Sequence, residues 1–175
     1  MEQDFSPAPW SGTCAAHRMH RPRPRRVDGY PYVGAGRYHI RTSTNTRRHE
    51  FLDPRWARAV VSQLLQHASD SRFEVLAYCV MPDHVHLLVA STNASADLER
   101  FVTRWKQSTG FAYAQCCATR LWQSGYFERV LRAEDTTEHI AAYIVANPVR
   151  AGLTTRVGQY EFAWAKGMTA MGTQD

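Results

Sequence analysis

Two histidines occupy alternate positions in the segment Met81-Pro-Asp-His84-Val-His86-Leu-Leu-Val89. In an extended strand alternate side chains share a face, so His84 and His86 project to one side while Val85, Leu87 and Val89 point to the other. Two imidazoles held this way can bind one metal ion; the plainer reading is a hydrogen-bonded pair at a sheet edge. The strand is otherwise strongly apolar, and two polar rings are costly there without partners, which favours a ligand role. A second clue lies downstream. Tyr143 and Asn147 are four residues apart and so stack on one helical face, with Ile140 and Ile144 beside them to anchor the helix to a sheet. Such a tyrosine is ordinarily a core residue with its hydroxyl at the rim. Near a histidine pair it gains another use, because a tyrosine hydroxyl can attack a phosphodiester and form a covalent phosphotyrosine. Free phenol, with a pKa near ~10, is a weak nucleophile at neutral pH. A divalent ion held by His84, His86 and the side-chain carbonyl of Asn147 would polarise the scissile phosphate and leave open positions for phosphate oxygens and water.

The elements that must place these groups are legible in outline. Tyr38–Thr44 is rich in β-branched residues and reads as a strand. Asp53-Pro54 opens a helix, with Asp53 as N-cap and Pro54 where its missing N–H costs nothing, followed by the apolar stripe Ala57, Val60, Val61, Leu64, Leu65, Ala68. Phe73–Val80 and His84–Ala90 are strands whose short Met81-Pro82-Asp83 connection makes them an antiparallel hairpin. A second helix is expected over Ser95–Cys117, with Leu98, Phe101, Val102, Trp105, Thr109 and Ala112 along its apolar face. Gly125–Leu131 reads as a further strand. A third helix is expected to start at the capping-box pattern Asp135-Thr-Thr-Glu138 and to stop near Pro148. The order β-α-β-β-α-β-α predicts an α+β fold, one antiparallel sheet with packed helices on a ferredoxin-like plan. That plan hosts many activities and decides none.

The chain has 175 residues, of which 44% are hydrophobic, enough for a core and incompatible with wholesale disorder. No apolar run approaches the ~20 residues of a membrane helix, and the N-terminus lacks the apolar stretch of a secretory signal. Four cysteines without a CxxC pair suit neither a zinc ribbon nor a disulfide lattice, and a reducing cytoplasm is the expected setting. The net charge is +5, and 19 of the 21 basic residues are arginines. Arginine grips phosphate oxygens in pairs, although GC-rich coding also favours it over lysine. Excess positive charge finds its commonest outlet on a nucleic-acid backbone. Residues 1–28 form a separate basic arm rich in proline and arginine, Arg21-Pro-Arg23-Pro-Arg25-Arg26, which reads either as a DNA-gripping arm or as an uninformative tail. The folded domain is expected over residues 29–166, with a short tail over 167–175.

The His84-Val85-His86 triplet resembles the His-hydrophobic-His signature of the HUH endonucleases, and the single downstream Tyr143 resembles their one-tyrosine transposases. Leu121-Trp-Gln-Ser-Gly-Tyr-Phe-Glu-Arg-Val-Leu-Arg132 and Tyr143-Ile-Val-Ala-Asn-Pro-Val-Arg-Ala-Gly-Leu153 are similar to the REP-associated, IS200-like branch in particular. The similarity runs from about Tyr38 to Trp164 with its motifs in the family's order. It implies an enzyme that cuts and rejoins single-stranded DNA beside a palindromic hairpin, using Mg²⁺ or Mn²⁺. His84 and His86 would be metal ligands, and Tyr143 the nucleophile that takes the 5′ phosphate. Asn147 would be the third ligand, where wider relatives often carry Gln. The branch is expected to act as a monomer in the cytoplasm, nucleoid-associated when DNA-bound. The rival reading is a protein that binds DNA hairpins without cutting them.

Further DNA contacts are expected from Arg100, Arg104, Lys106 and Gln107 on the second helix, and from Arg23, Arg25 and Arg26 in the arm. Arg150 is expected either to hold a phosphate or to cap its helix. Trp105 fits the apolar stripe; Trp122, Tyr126 and Phe127 are either core or platforms for unpaired bases. His39, His49 and His67 show no partner pattern, and neither does His139, although it shares the face of Tyr143 one turn earlier.

Overall fold

A computed structural model describes residues 30 and 32–168. The basic arm of residues 1–28, with Arg23, Arg25 and Arg26, lies outside the described residues. Five antiparallel strands form one sheet in the order β4-β1-β3-β2-β5: β1 Arg37–Ser43, β2 Phe73–Met81, β3 His84–Ser91, β4 Phe127–Val130 and β5 Ala163–Ala165. The first four reproduce the expected ferredoxin-like arrangement. Helices α1 (Pro54–Asp70) and α2 (Leu98–Cys117) cover one face; α3 (Thr137–Val145) covers the other, followed by the single turn α4 (Asn147–Arg150).

Alternation along the strands divides the core into two. Tyr38 and Ile40 of β1 and Val85, Leu87 and Val89 of β3 pack with Val60, Leu64, Phe101 and Trp105 beneath α1 and α2. Leu88 of β3 and Cys79 and Met81 of β2 pack with Ile140 and Ile144 beneath α3. His84 and His86 share this second face. Burying a side chain the size of Ile144 contributes about 1.5–3 kcal/mol, and that contact seats α3 on the sheet.

Several boundaries differ from the sequence reading, each for a local reason. The α1 cap forms as expected, with the Asp53 carboxylate accepting from the Arg55 N–H at 2.9 Å, but the stripe is narrower and Leu65 faces solvent. Helix α2 starts at Leu98 instead of Ser95. Asn93 takes the Ser95 N–H in a local turn, and Asp97 caps the helix by accepting from Arg100 N–H at 3.0 Å. Its apolar face ends on buried Tyr113, not on Ala112, which is exposed. Trp105 is core, donating from Nε1 to the Val60 carbonyl. The capping box at α3 does not form. Asp135 turns back to accept from the Arg132 N–H and to pair with Arg129, and Thr136 caps with its backbone alone. The third helix stops near Pro148 as expected, with α3 ending at Val145, and Pro148 stands in the first turn of α4. Strand β5, three residues on the free edge of β2, was not foreseen from its short sequence.

Candidate active site

The site is built where β3, β1 and α3 meet. The β2–β3 hairpin turns through Pro82 and Asp83 and pairs Met81 with His84, which starts β3 at its first histidine. Asp83 then serves as a bracket. Its Oδ1 lies 2.5 Å from Nδ1 of His84, and its Oδ2 pairs with Nε of Arg47 at 2.8 Å. Arg47 reaches this position from an uncommon turn, in which Thr46 and Arg47 take φ of 55° and 61°. Left-handed backbone at two successive non-glycine residues, one of them β-branched, costs about 1–3 kcal/mol each and is usually retained where it places a functional group.

With Nδ1 of His84 engaged by the carboxylate, its Nε2 is the free edge, and it lies 3.2 Å from Nε2 of His86. The second imidazole is only 6% exposed, and burial is the main reason its pKa falls to about 3, with neighbouring His84, His39, Arg41 and Arg150 adding to the effect. Burial also lowers the pKa of His84, opposed by its bond to Asp83. Both rings are thus neutral at physiological pH, the form that ligates metals.

Tyr143 stands beside His86. Its ring meets His86 edge-on, with centroids 6.2 Å apart and planes at 87°, and meets His39 similarly at 6.3 Å. Ile140 and Ile144 are buried beneath α3, while Tyr143 remains 41% exposed at the rim. The guanidinium of Arg150, one turn past α3, lies 4.8 Å from the centre of the Tyr143 ring. Asn147 donates through Nδ2 to the carbonyls of Tyr143 and Ile144, at 2.9 and 3.1 Å, so its Oδ1 is the atom left for a ligand.

His39 is the member that sequence reading passed over. Its ring lies edge to edge with that of His86, with centroids 5.4 Å apart and planes 24° apart, and its Nε2 lies 3.2 Å from Nδ1 of His86. The signal was present in the alternation of β1, which sends His39 and Arg41 to one face, and in a strand order that sets β1 beside β3. Only the register was missing: Arg41 pairs with His86. Burial, followed by Arg129 and Arg41, lowers the His39 pKa to about 4. His139, the alternative on the helix face of Tyr143, is exposed and makes none of these ring contacts.

The expected DNA-binding residues of α2 are not gathered here. Arg100, Arg104 and Gln107 are exposed on a helix that covers the opposite face of the sheet. Lys106 is committed to the fold: its amine donates to the carbonyls of Gln123, at 3.0 Å, and Gly125, and burial lowers its pKa to about 8. Trp122 is buried, with Nε1 donating to Thr109 Oγ1. Tyr126 is half-buried, and Phe127 is 40% exposed on edge strand β4, opposite Arg41.

The spacing of the two histidines bears on a cation site. Donors at neighbouring corners of an octahedron, with bonds of about 2.0–2.1 Å, lie about 3 Å apart. The Nε2–Nε2 separation of 3.2 Å fits that spacing. Among the described residues no three His, Cys, Asp or Glu side chains form a cation site.

Comparison with known proteins decides the family. Residues 32–147 match the family model described as Transposase IS200 like. The chain belongs to that family. The matched span takes in His39, Asp83, His84, His86 and Tyr143 and ends on Asn147, so this IS200-like transposase carries all of them within its family core. A REP-associated tyrosine transposase of Escherichia coli (strain K12) is 27% identical over 138 residues, covering 75% of this chain and 78% of that protein. The solved structure of a REP-associated tyrosine transposase bound to a REP hairpin matches in fold, with a TM-score of 0.63, 22% identity and 79% of each chain covered. Membership places the chain among enzymes that cut and rejoin DNA. None of its helices, among the described residues, is long and apolar enough to cross a membrane.

Proposed function

We propose that this IS200-like transposase cuts and rejoins single-stranded DNA beside a folded hairpin, with Tyr143 as nucleophile. The observation that carries the reading is the packing of the Tyr143 ring against His86, whose Nε2 converges with that of His84. The likeness to a REP-associated tyrosine transposase solved with a REP hairpin supports a hairpin as the partner.

In this reading His84, His86 and Asn147 hold Mg²⁺ or Mn²⁺, which supplies polarisation of the scissile phosphate and offsets charge in the transition state. The remaining steps belong to the chain. Tyr143 attacks the phosphorus through its hydroxyl oxygen and releases the phenolic proton to solvent. The bond from phosphorus to the 3′ oxygen breaks, that oxygen takes a proton from solvent, and the 5′ phosphate becomes an ester of Tyr143. Rejoining is the reverse attack by another 3′ hydroxyl. Ile140 and Ile144 fix the helix so that the phenol is presented already oriented, which removes much of the entropic cost of the attack. Arg150 on the Tyr143 ring sets positive charge where a polyanion would approach. The ring contacts of Tyr143 with His39 and His86 of its own chain support action as a monomer.

The test is a single-stranded hairpin oligonucleotide with an unpaired flank, incubated with Mn²⁺ and run on a denaturing gel. The reading expects a shortened strand and a protein-linked strand, both absent with Tyr143→Phe. Hairpin binding without any cut product would contradict it and leave a DNA-binding protein; cleavage that survives Tyr143→Phe would point to water as the nucleophile.

A further inference from the structure

We propose that His39 is a positioning residue: it holds the ring of His86 and can accept from its Nδ1, so that His86 turns an unprotonated Nε2 toward His84 when a cation binds. This rests on the cation site of the proposed function but concerns the chain's own hydrogen bonds. The four groups form one file, His39 Nε2 to His86 Nδ1 at 3.2 Å, His86 Nε2 to His84 Nε2 at 3.2 Å, and His84 Nδ1 to Asp83 Oδ1 at 2.5 Å.

Asp83 can only accept, so His84 carries its proton on Nδ1 and offers a lone pair at Nε2. The direction of the remaining bonds is then set at the other end. If His39 donates from Nε2, His86 accepts at Nδ1 and holds its own proton on Nε2, where it donates to His84. Every bond is then made, and the site is closed to a cation. If His39 accepts, His86 donates from Nδ1 and both Nε2 lone pairs face the same point. Each neutral ring keeps one proton in either arrangement, so no net charge changes. An imidazole at position 39 serves both directions. The rings of His39 and His86 lie edge to edge with planes 24° apart, as a bond made in the plane of both rings requires. A ligating histidine commonly needs such a partner on its other nitrogen, and removing it weakens metal binding about 10–100-fold.

The test compares the full chain with His39→Gln, whose amide can donate or accept, and His39→Phe, which keeps a flat ring and loses the bond. Mn²⁺ affinity is read from the free-ion resonance in the absence of DNA, and melting with EDTA controls for folding. Gln is expected to remain within about threefold of the parent, and Phe to lose about tenfold or more with little change in melting. ¹⁵N spectra of the unsubstituted protein, which need no variant to fold, should show the His86 proton on Nε2 with EDTA and on Nδ1 with Zn²⁺ as a diamagnetic probe. His39→Phe binding Mn²⁺ as tightly as the parent, or an unchanged His86 proton position on adding Zn²⁺, would overturn the proposal. Neither result depends on DNA cleavage, so failure of the nucleolytic reading remains a separate outcome.

Discussion

The ring of Tyr143 stands perpendicular to the ring of His86, with their centroids 6.2 Å apart. A helix laid on one face of the sheet thereby presents a phenol to an imidazole fixed in the middle of that sheet. The contact has two supports: Ile140 and Ile144 beneath the helix, and β3 held between β1 and β2.

The first support predicts a separation of stability from chemistry. Ile144→Ala leaves a cavity under α3 and should destabilise the protein by about 2–5 kcal/mol, read as a shift in the urea midpoint. The surviving folded fraction should cut more slowly, because the helix that orients Tyr143 has lost its anchor. Unaltered cleavage per folded molecule would mean that α3 is positioned by something else.

The histidines predict an acid limit. Burial lowers the pKa of His86 to about 3 and of His39 to about 4, from an ordinary value of 6.5. Between those limits the unfolded chain binds more protons than the folded one, so the contribution is fully present above pH ~6.5 and is lost as the pH falls. Unfolding with EDTA should show stability declining from pH 6.5 toward 4, with a slope about one proton smaller in His39→Gln. Equal slopes for the two proteins would mean that His39 is not held neutral.

Substitution of the first proposed ligand separates binding from cutting. His84→Ala should lower cleavage about 1000-fold or more while leaving hairpin affinity within about threefold, since backbone contacts and the cation site are distinct. A parallel loss of hairpin binding, measured by fluorescence anisotropy, would assign His84 to the DNA interface instead.

Much of this was legible from residue order. Period-two alternation placed His84 and His86 opposite Val85, Leu87 and Val89, and spacing placed Tyr143 with Asn147 near Ile140 and Ile144. What sequence did not carry was pairing between distant segments. His39 stands 47 residues from His86, and only the β1–β3 register brings them into contact. Lys106 illustrates the converse: its charge suggested a DNA contact, yet the 123–125 loop folds over its amine. Local competition explains the misplaced helix starts, because Asn93 and Asp135 side chains bind nearby backbone N–H groups more readily than they extend a helix.

The most direct test is mass spectrometry of the peptide bearing Tyr143 after incubation with Mn²⁺ and a single-stranded hairpin oligonucleotide, followed by nuclease trimming. The account predicts that this peptide alone gains the mass of a 5′-linked nucleotide, at the phenolic oxygen. Cleaved DNA with Tyr143 unmodified, or an adduct on any other residue, would contradict it.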